Sequence, residues 1–291
     1  MAQALCLLHA NCQGDALRPL LENSPAFASR FRIRQYVNYT RQSIAAQDIE
    51  HCDLFLYQRL APKWGDLSTE QMLPRLPRQC QAIEIPNLFF KGYWPHWSRD
   101  EHINFADSLL ETLLDKVSPQ EAMTLYLRGS AALLGDAAAL HRQAEESLCH
   151  EEAKEAHGPI KCAPLLRERW REEQMFMTVN HPGRELMCHM ADSLLRLLGL
   201  GGLPPSARSS YVHPLEDFWL PIHPAVGRSL GLPFASAEKR WPIYHLQLTH
   251  REYIMCYMAC RTNNVSDFLT FLKNLSSEAL HGATAGMSGN R

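Results

Sequence analysis

A chain of 291 residues with 46% hydrophobic side chains carries enough apolar material for a sizeable buried core, as one large domain or two modest ones. Its 29 basic and 31 acidic residues leave a formal net charge of -2, which excludes the strong positive field that draws a protein to nucleic acid or an anionic membrane surface. No stretch approaches the roughly 18 consecutive apolar residues of a membrane-spanning helix.

Residues Met1 to His9 lack a basic leader and hold only a short apolar run, so no signal peptide is read and a cytoplasmic location is expected. The nine cysteines are irregularly spaced, which in a chain of this length predicts reduced thiols, most of them buried as small hydrophobes. Cys256 and Cys260, and the adjacent Cys188-His189, do not make a metal-ligand pattern. No metal is therefore expected, and no Walker or dinucleotide glycine loop occurs.

In chain order, Leu5 to His9 reads as a strand ending in Ala10-Asn11-Cys12-Gln13-Gly14. Asp15 to Glu22 follows as an amphipathic helix with Leu17, Leu20 and Leu21 on one face. Phe31 to Val37 alternates with the period of a strand, and Ser43 to Ile49 fits a short helix. Asp53 to Gln58 and Ala82 to Pro86 are further apolar runs of strand length. Strands separated by helices predict a small parallel sheet, with ligands gathering at the carboxyl ends of its strands. From Asn104 the pattern turns helical, with stripes over Phe105 to Leu114 and Met187 to Leu198, the latter stopped by glycines and prolines. Ala137 to Ala156 is rich in alanine and glutamate and reads as a solvated helix. Residues 201–242 read as an ordered, loop-rich connector, and Tyr253 to Leu275 as one or two final helices. The expectation is an α/β fold in one domain over 1–275. Residues 1–103 would form the sheet part, 104–275 a mainly helical part, and 276–291 a disordered tail.

Cys12 stands where a strand hands over to a helix. That place exposes a side chain at the sheet edge and directs helix N–H groups at it, which favours thiolate over thiol. Asn11 and Gln13 bring amide donors, and Gly14 opens the backbone to a substrate. With main-chain N–H groups these residues compose a candidate oxyanion hole. The competing reading is a buried structural cysteine. A base is available in Thr178-Val179-Asn180-His181-Pro182-Gly183, where His181 sits on a turn with an ordinary pKa suited to proton transfer. Among 14 histidines, a structural role for it competes with the catalytic one.

The segment Leu7 to Gln13 resembles the opening Gly-Asn-Cys-Gln signature of the WcbI-like polysaccharide biosynthesis proteins, with Ala10 in place of the usual glycine. Further matching blocks are Asp53 to Gln58, Ile85 to Pro95, and Val179 to Pro182, so the resemblance spans roughly residues 5 to 275. It implies bacterial capsule assembly, coenzyme A binding, and transfer of an acyl group, most simply acetyl, to a sugar hydroxyl. The same blocks are distantly similar to the SGNH hydrolases, in which a late His-Pro supplies the base and an acid stands three residues before it. Thr178 occupies that place here, so either Asn180, a carboxylate such as Glu84 or a main-chain carbonyl orients His181, or no true triad exists.

For the substrates, Gln58 at the end of a strand is the candidate polar contact and Asn180 a second one. The aromatic run containing Phe90, Lys91, Gly92 and Tyr93 either offers stacking for an adenine or sugar ring and a cation for phosphate, or is a loop packed into the core. Arg59, Arg184, Lys239 and Arg240 are the remaining candidate cations for coenzyme A phosphates. Three functions stay open: a coenzyme-A-dependent O-acyltransferase acting on a capsular sugar, a cysteine esterase or deacetylase, and a non-catalytic partner of the capsule-assembly machinery. Within the first, either Cys12 carries the acyl group covalently, or His181 activates the hydroxyl for direct transfer and the Asn11-Cys12-Gln13 turn only stabilises the oxyanion.

Overall fold

The computed structural model describes residues 3–99, 104–263, 265 and 267–275; the tail expected at 276–291 lies outside the described residues. Two compact units divide the chain, each drawn from three separate stretches. The first comprises Met1–Phe89, Cys149–Glu168 and Asn180–Leu215, and the second comprises Phe90–Leu148, Arg169–Val179 and Glu216–Arg291.

The first unit is built on a four-stranded parallel sheet of β1 (Ala4–Ala10), β2 (Phe31–Val37), β3 (Cys52–Tyr57) and β4 (Gln81–Glu84), in the order β2-β1-β3-β4. β1 and β3 are central and nearly continuous apolar runs, as strands covered on both faces require. β2 is an edge, and it exposes Arg32 and Arg34 where they discourage further pairing. The chain leaves β1 toward β2 on one side and then returns to β3 on the other. This reversal opens a crevice at the carboxyl ends of β1 and β3.

The helix α1 (Gln13–Glu22) starts two residues beyond β1 and buries Ala16, Leu17, Leu20 and Leu21. It packs against the Arg184–Leu197 helix, whose Leu186, Met187, Met190, Leu194 and Leu195 are buried. The opposite face of the sheet is covered by Ile44, Ile49 and Met72, packed on Leu5, Leu7, Phe55 and Tyr57. The short helix expected near Ser43 lies at Ala46–Glu50. All nine cysteines are free, and the sulfurs of Cys52 and Cys80 lie 3.4 Å apart.

The second unit is mostly helical, with helices Ser108–Leu114, Pro119–Arg128, His250–Thr262 and Phe268–Asn274, and an antiparallel pair Arg240–Ile243 and Leu246–Thr249. Pro119 at the first helical position with Ser118 capping, and Thr249 with Glu252 as a capping box, start two of these helices. The ordered connector expected at 201–242 contains two short helices, Pro205–Ser210 and Pro224–Leu230.

The Ala137–Glu155 helix corrects the expectation of a solvated helix. Leu140, Ala144, Leu148, Glu151 and Glu155 recur on one face, and all five are buried. Among the described residues no helix is long and apolar enough to cross a membrane.

Candidate functional site

Cys12 occupies the N-cap position of α1 at the carboxyl end of β1, and it is half-buried. The N–H groups of Cys12 and Gln13 face its sulfur and favour the thiolate. Burial and the Asp15 carboxylate outweigh them and push the thiol up to about 11. The expected low-pKa thiolate is therefore corrected: this environment holds Cys12 as a thiol at neutral pH.

The carboxamides around Cys12 are occupied with one another. Gln13 is buried; its Nε2 donates to Leu88 O at 2.7 Å and Asn180 O at 2.9 Å, and its Oε1 accepts from Gln58 Nε2 and Leu88 N. Gln58, also buried, accepts from Asn11 N at 2.9 Å and donates to Pro86 O. Asn11 donates through Nδ2 to Asn87 Oδ1 and accepts from Gln13 N. Gln13 and Gln58 are thus brought to Cys12 as expected, but as struts of the turn rather than contacts for a substrate. The same geometry removes the Gln13 side chain from the candidate oxyanion hole, because both of its amide hydrogens are used, whereas Asn11 Nδ2 spends one of its two on Asn87. Gly14 is corrected likewise: a Cβ there would stand 3.1 Å from both Ala10 Cβ and Gln35 Nε2, so its missing side chain serves helix-to-strand packing.

Gln13 also draws the second candidate segment in. Its bond to Asn180 O fastens the residue after Cys12 to the residue before His181. His181 is half-buried and its Nδ1 is enclosed with no hydrogen-bond partner among the described residues. Among the described residues no carboxylate or carbonyl bonds that Nδ1, and Glu84 pairs with Arg59. Burial, aided by the neighbouring His213, lowers the His181 pKa to about 4. His213 is fixed between Pro182 O, 3.1 Å from its Nε2, and the N–H of Leu215, which donates to its Nδ1.

Sequence reasoning missed His213, Asp15 and Asn87, whose closeness to the site depends on tertiary folding. Tyr39, exposed and electrostatically coupled to Cys12 and Asp15, was missed as well.

The candidate cofactor residues fall apart. In the second unit Phe90 and Tyr93 are fully buried in an aromatic core with Trp170 and Phe176, and Tyr93 donates to Trp170 O at 2.6 Å. A Cβ on Gly92 would meet the Phe90 ring at 2.2 Å, so this turn packs against its own aromatic ring and offers no stacking face. Lys91 lies over the Trp97 ring. Arg240 bonds Gln247 O and pairs with Glu252, and Lys239 is exposed with its N–H on Ser236 Oγ. In the first unit Arg184 is turned onto the carbonyls of Arg208, Ser209 and Tyr211, and Arg59 is paired with Glu84. Arg59 alone of these cations lines a cleft beside the Cys12 turn.

Among the described residues no group of three or more His, Cys, Asp or Glu could hold a metal ion. No curated protein sequence matches the chain. The fold is similar to a solved structure described as WcbI, a novel polysaccharide biosynthesis enzyme, in its native form without a disulfide bond between coenzyme A and one of its cysteines. The TM-score is 0.70 at 15% identity, over 100% of this chain and 96% of that one, a likeness of fold. A family profile described as polysaccharide biosynthesis enzyme WcbI matches residues 5–203. That span exceeds half of the sequence and contains Cys12, Gln58 and His181, so the chain belongs to the WcbI family of polysaccharide biosynthesis enzymes.

Proposed function

We propose that this protein is a coenzyme-A-dependent O-acyltransferase, moving an acetyl group to a hydroxyl of a capsular sugar or its precursor in the cytoplasm. The observation that carries the reading is a half-buried thiol at the sheet's switch point, fastened by Gln13 to the turn that presents a neutral histidine. Membership of a family of polysaccharide biosynthesis enzymes supports a sugar as acceptor. The similar solved structure is described as lacking a disulfide bond between coenzyme A and one of its cysteines, and Cys12 is our counterpart for that cysteine.

The thioester of an acyl-coenzyme A supplies an activated carbonyl. His181, uncharged at pH 7 because burial holds its pKa near 4, takes the proton from the sugar hydroxyl as the new oxygen–carbon bond forms. The carbon–sulfur bond breaks, and the proton passes from His181 to the departing thiolate. The main-chain N–H of Cys12 receives the developing oxyanion. A thiol pushed up to about 11 is a poor resident nucleophile, which favours this direct transfer over an acyl-enzyme on Cys12.

The test begins with a thermal melt of the full chain against coenzyme A and acetyl-coenzyme A, since a ligand at 100 times its Kd stabilises by about 2.7 kcal/mol. Absence of any shift sinks the reading and leaves the esterase alternative. His181→Ala is expected to lower the acylation rate about 10²–10⁴-fold. Intact mass during turnover should show Cys12 unmodified; an acetylated Cys12 peptide restores the covalent route.

A further inference from the structure

Beside the Cys12 turn, and wholly within the first unit, lies a cleft of about 300 Å³. Its apolar surface comes from Ile85, Pro86 and Ile160. Around this surface stand Arg59 paired with Glu84, Lys154, Asn87 and Glu155. Asn87 joins the cleft to the candidate reaction centre, because its Oδ1 holds the side chain of Asn11 at 3.0 Å. Lys154 donates to Asn87 O and pairs with the buried Glu151 at 2.7 Å.

Glu155 sharpens the chemistry. Only 4% of it is exposed, and one carboxyl oxygen accepts the N–H groups of Cys162 and Ala163, each at 2.9 Å. The other oxygen is buried with no hydrogen-bond partner among the described residues. An unpartnered buried acceptor costs about 1–3 kcal/mol, and this one lies sealed beneath the cleft wall.

The balance of charge separates the two substrate classes. Coenzyme A phosphates call for an excess of cations, whereas both cations here already have carboxylate partners. An apolar floor ringed by alternating donors and acceptors suits a neutral ring that has one C–H face and several hydroxyls. We propose that this cleft is the acceptor subsite and takes a neutral sugar ring, with Glu84 and the Asn87 side chain meeting its hydroxyls and Asn87 linking it to the Cys12 turn. The inference rests on the acyl-transfer reading given above.

The experiment uses the full chain and two probes, methyl α-D-mannopyranoside and methyl β-D-galactopyranoside, observed by saturation-transfer NMR at millimolar concentration. Gly158→Trp and Ala61→Trp each place a ring in the cleft from a different wall. A Cβ at Gly158 meets only Glu155 O at 3.8 Å, and Ala61 is exposed, so both variants are expected to fold, which a melt checks. The expected result is saturation transfer to at least one glycoside, reduced at least fivefold in both variants, with the coenzyme A melting shift retained. No transfer to either glycoside, undiminished transfer in a folded variant, or loss of the coenzyme A shift in both variants would overturn the assignment. A wild-type chain that binds the glycoside without any coenzyme A shift would instead defeat the acyl-transfer reading and leave the cleft as a sugar site.

Discussion

Two N–H groups at the first turn of α1 pull the Cys12 pKa down, while burial and Asp15 push it up to about 11. A helix terminus contributes about 0.3–1 kcal/mol, and each pKa unit corresponds to about 1.4 kcal/mol, so modest burial is enough to reverse it. Asp15→Asn keeps an acceptor for Gln35 and removes the repulsion. Peptide-resolved iodoacetamide labelling at pH 8 is expected to run several-fold faster at Cys12 in that variant; an equal rate would leave burial as the sole cause. His181 makes a second residue-scale prediction. With its pKa at about 4, the acid limb of the activity profile should fall near pH 4 and not near the ordinary histidine value. His213→Asn removes the neighbouring ring that helps lower it, and the limb should move to higher pH. At this scale the sequence singled out the two turns that Gln13 joins, those of Cys12 and His181, but did not foresee the packing and hydrogen bonds that engage Gln13, Gln58 and Gly14. Their roles are set by partners such as Leu88, Asn180 and Gln35, which lie far away along the chain.

The carboxamide struts belong to elements as much as to residues. Gln58 sits just past β3 and ties the end of β1 to the segment that follows β4. Gln58→Ala strands Asn11 N–H and Pro86 O and leaves Gln13 Oε1 with Leu88 N–H as its remaining donor. A loss of about 2–4 kcal/mol in urea unfolding is expected, since each buried group left unpaired costs about 1–3 kcal/mol. Gly92→Ala forces the Phe90 ring from its place, and overpacking of this kind costs about 1–3 kcal/mol in the same measurement. The strands were legible because β1 and β3 are apolar runs of the right length bounded by turns. The Ala137–Glu155 helix was misread because its glutamates were weighed by composition. Taken by phase, Glu151 and Glu155 continue the stripe of Leu140, Ala144 and Leu148, and a carboxylate on an apolar stripe is a buried carboxylate.

For the molecule as a whole, buried histidines set the response to acid. His9, His181, His213 and His223 all have pKa values lowered to about 4 by burial. Their stabilisation is complete above about pH 6.5, the unfolded value, and is lost as pH falls toward 4, because only the unfolded chain takes up their protons. Glu151, raised to about 7, acts in the opposite sense and loses stability as pH rises from its unfolded value toward 7. Four histidines outweigh it, so the melting temperature should drop steadily between pH 6.5 and 4.5. His9→Leu, which removes a buried ring nitrogen without a partner, should flatten that slope. The α/β class was legible in the sequence, whereas the division into two units was not, since each gathers stretches that no local pattern connects. That interleaving bears on biosynthesis. The sheet strands leave the ribosome early, but the unit that contains them closes only after residue 215 has followed. At about 5–20 residues/s this is a wait on the order of 10 s with apolar strands uncovered, a window in which chaperones capture the nascent chain.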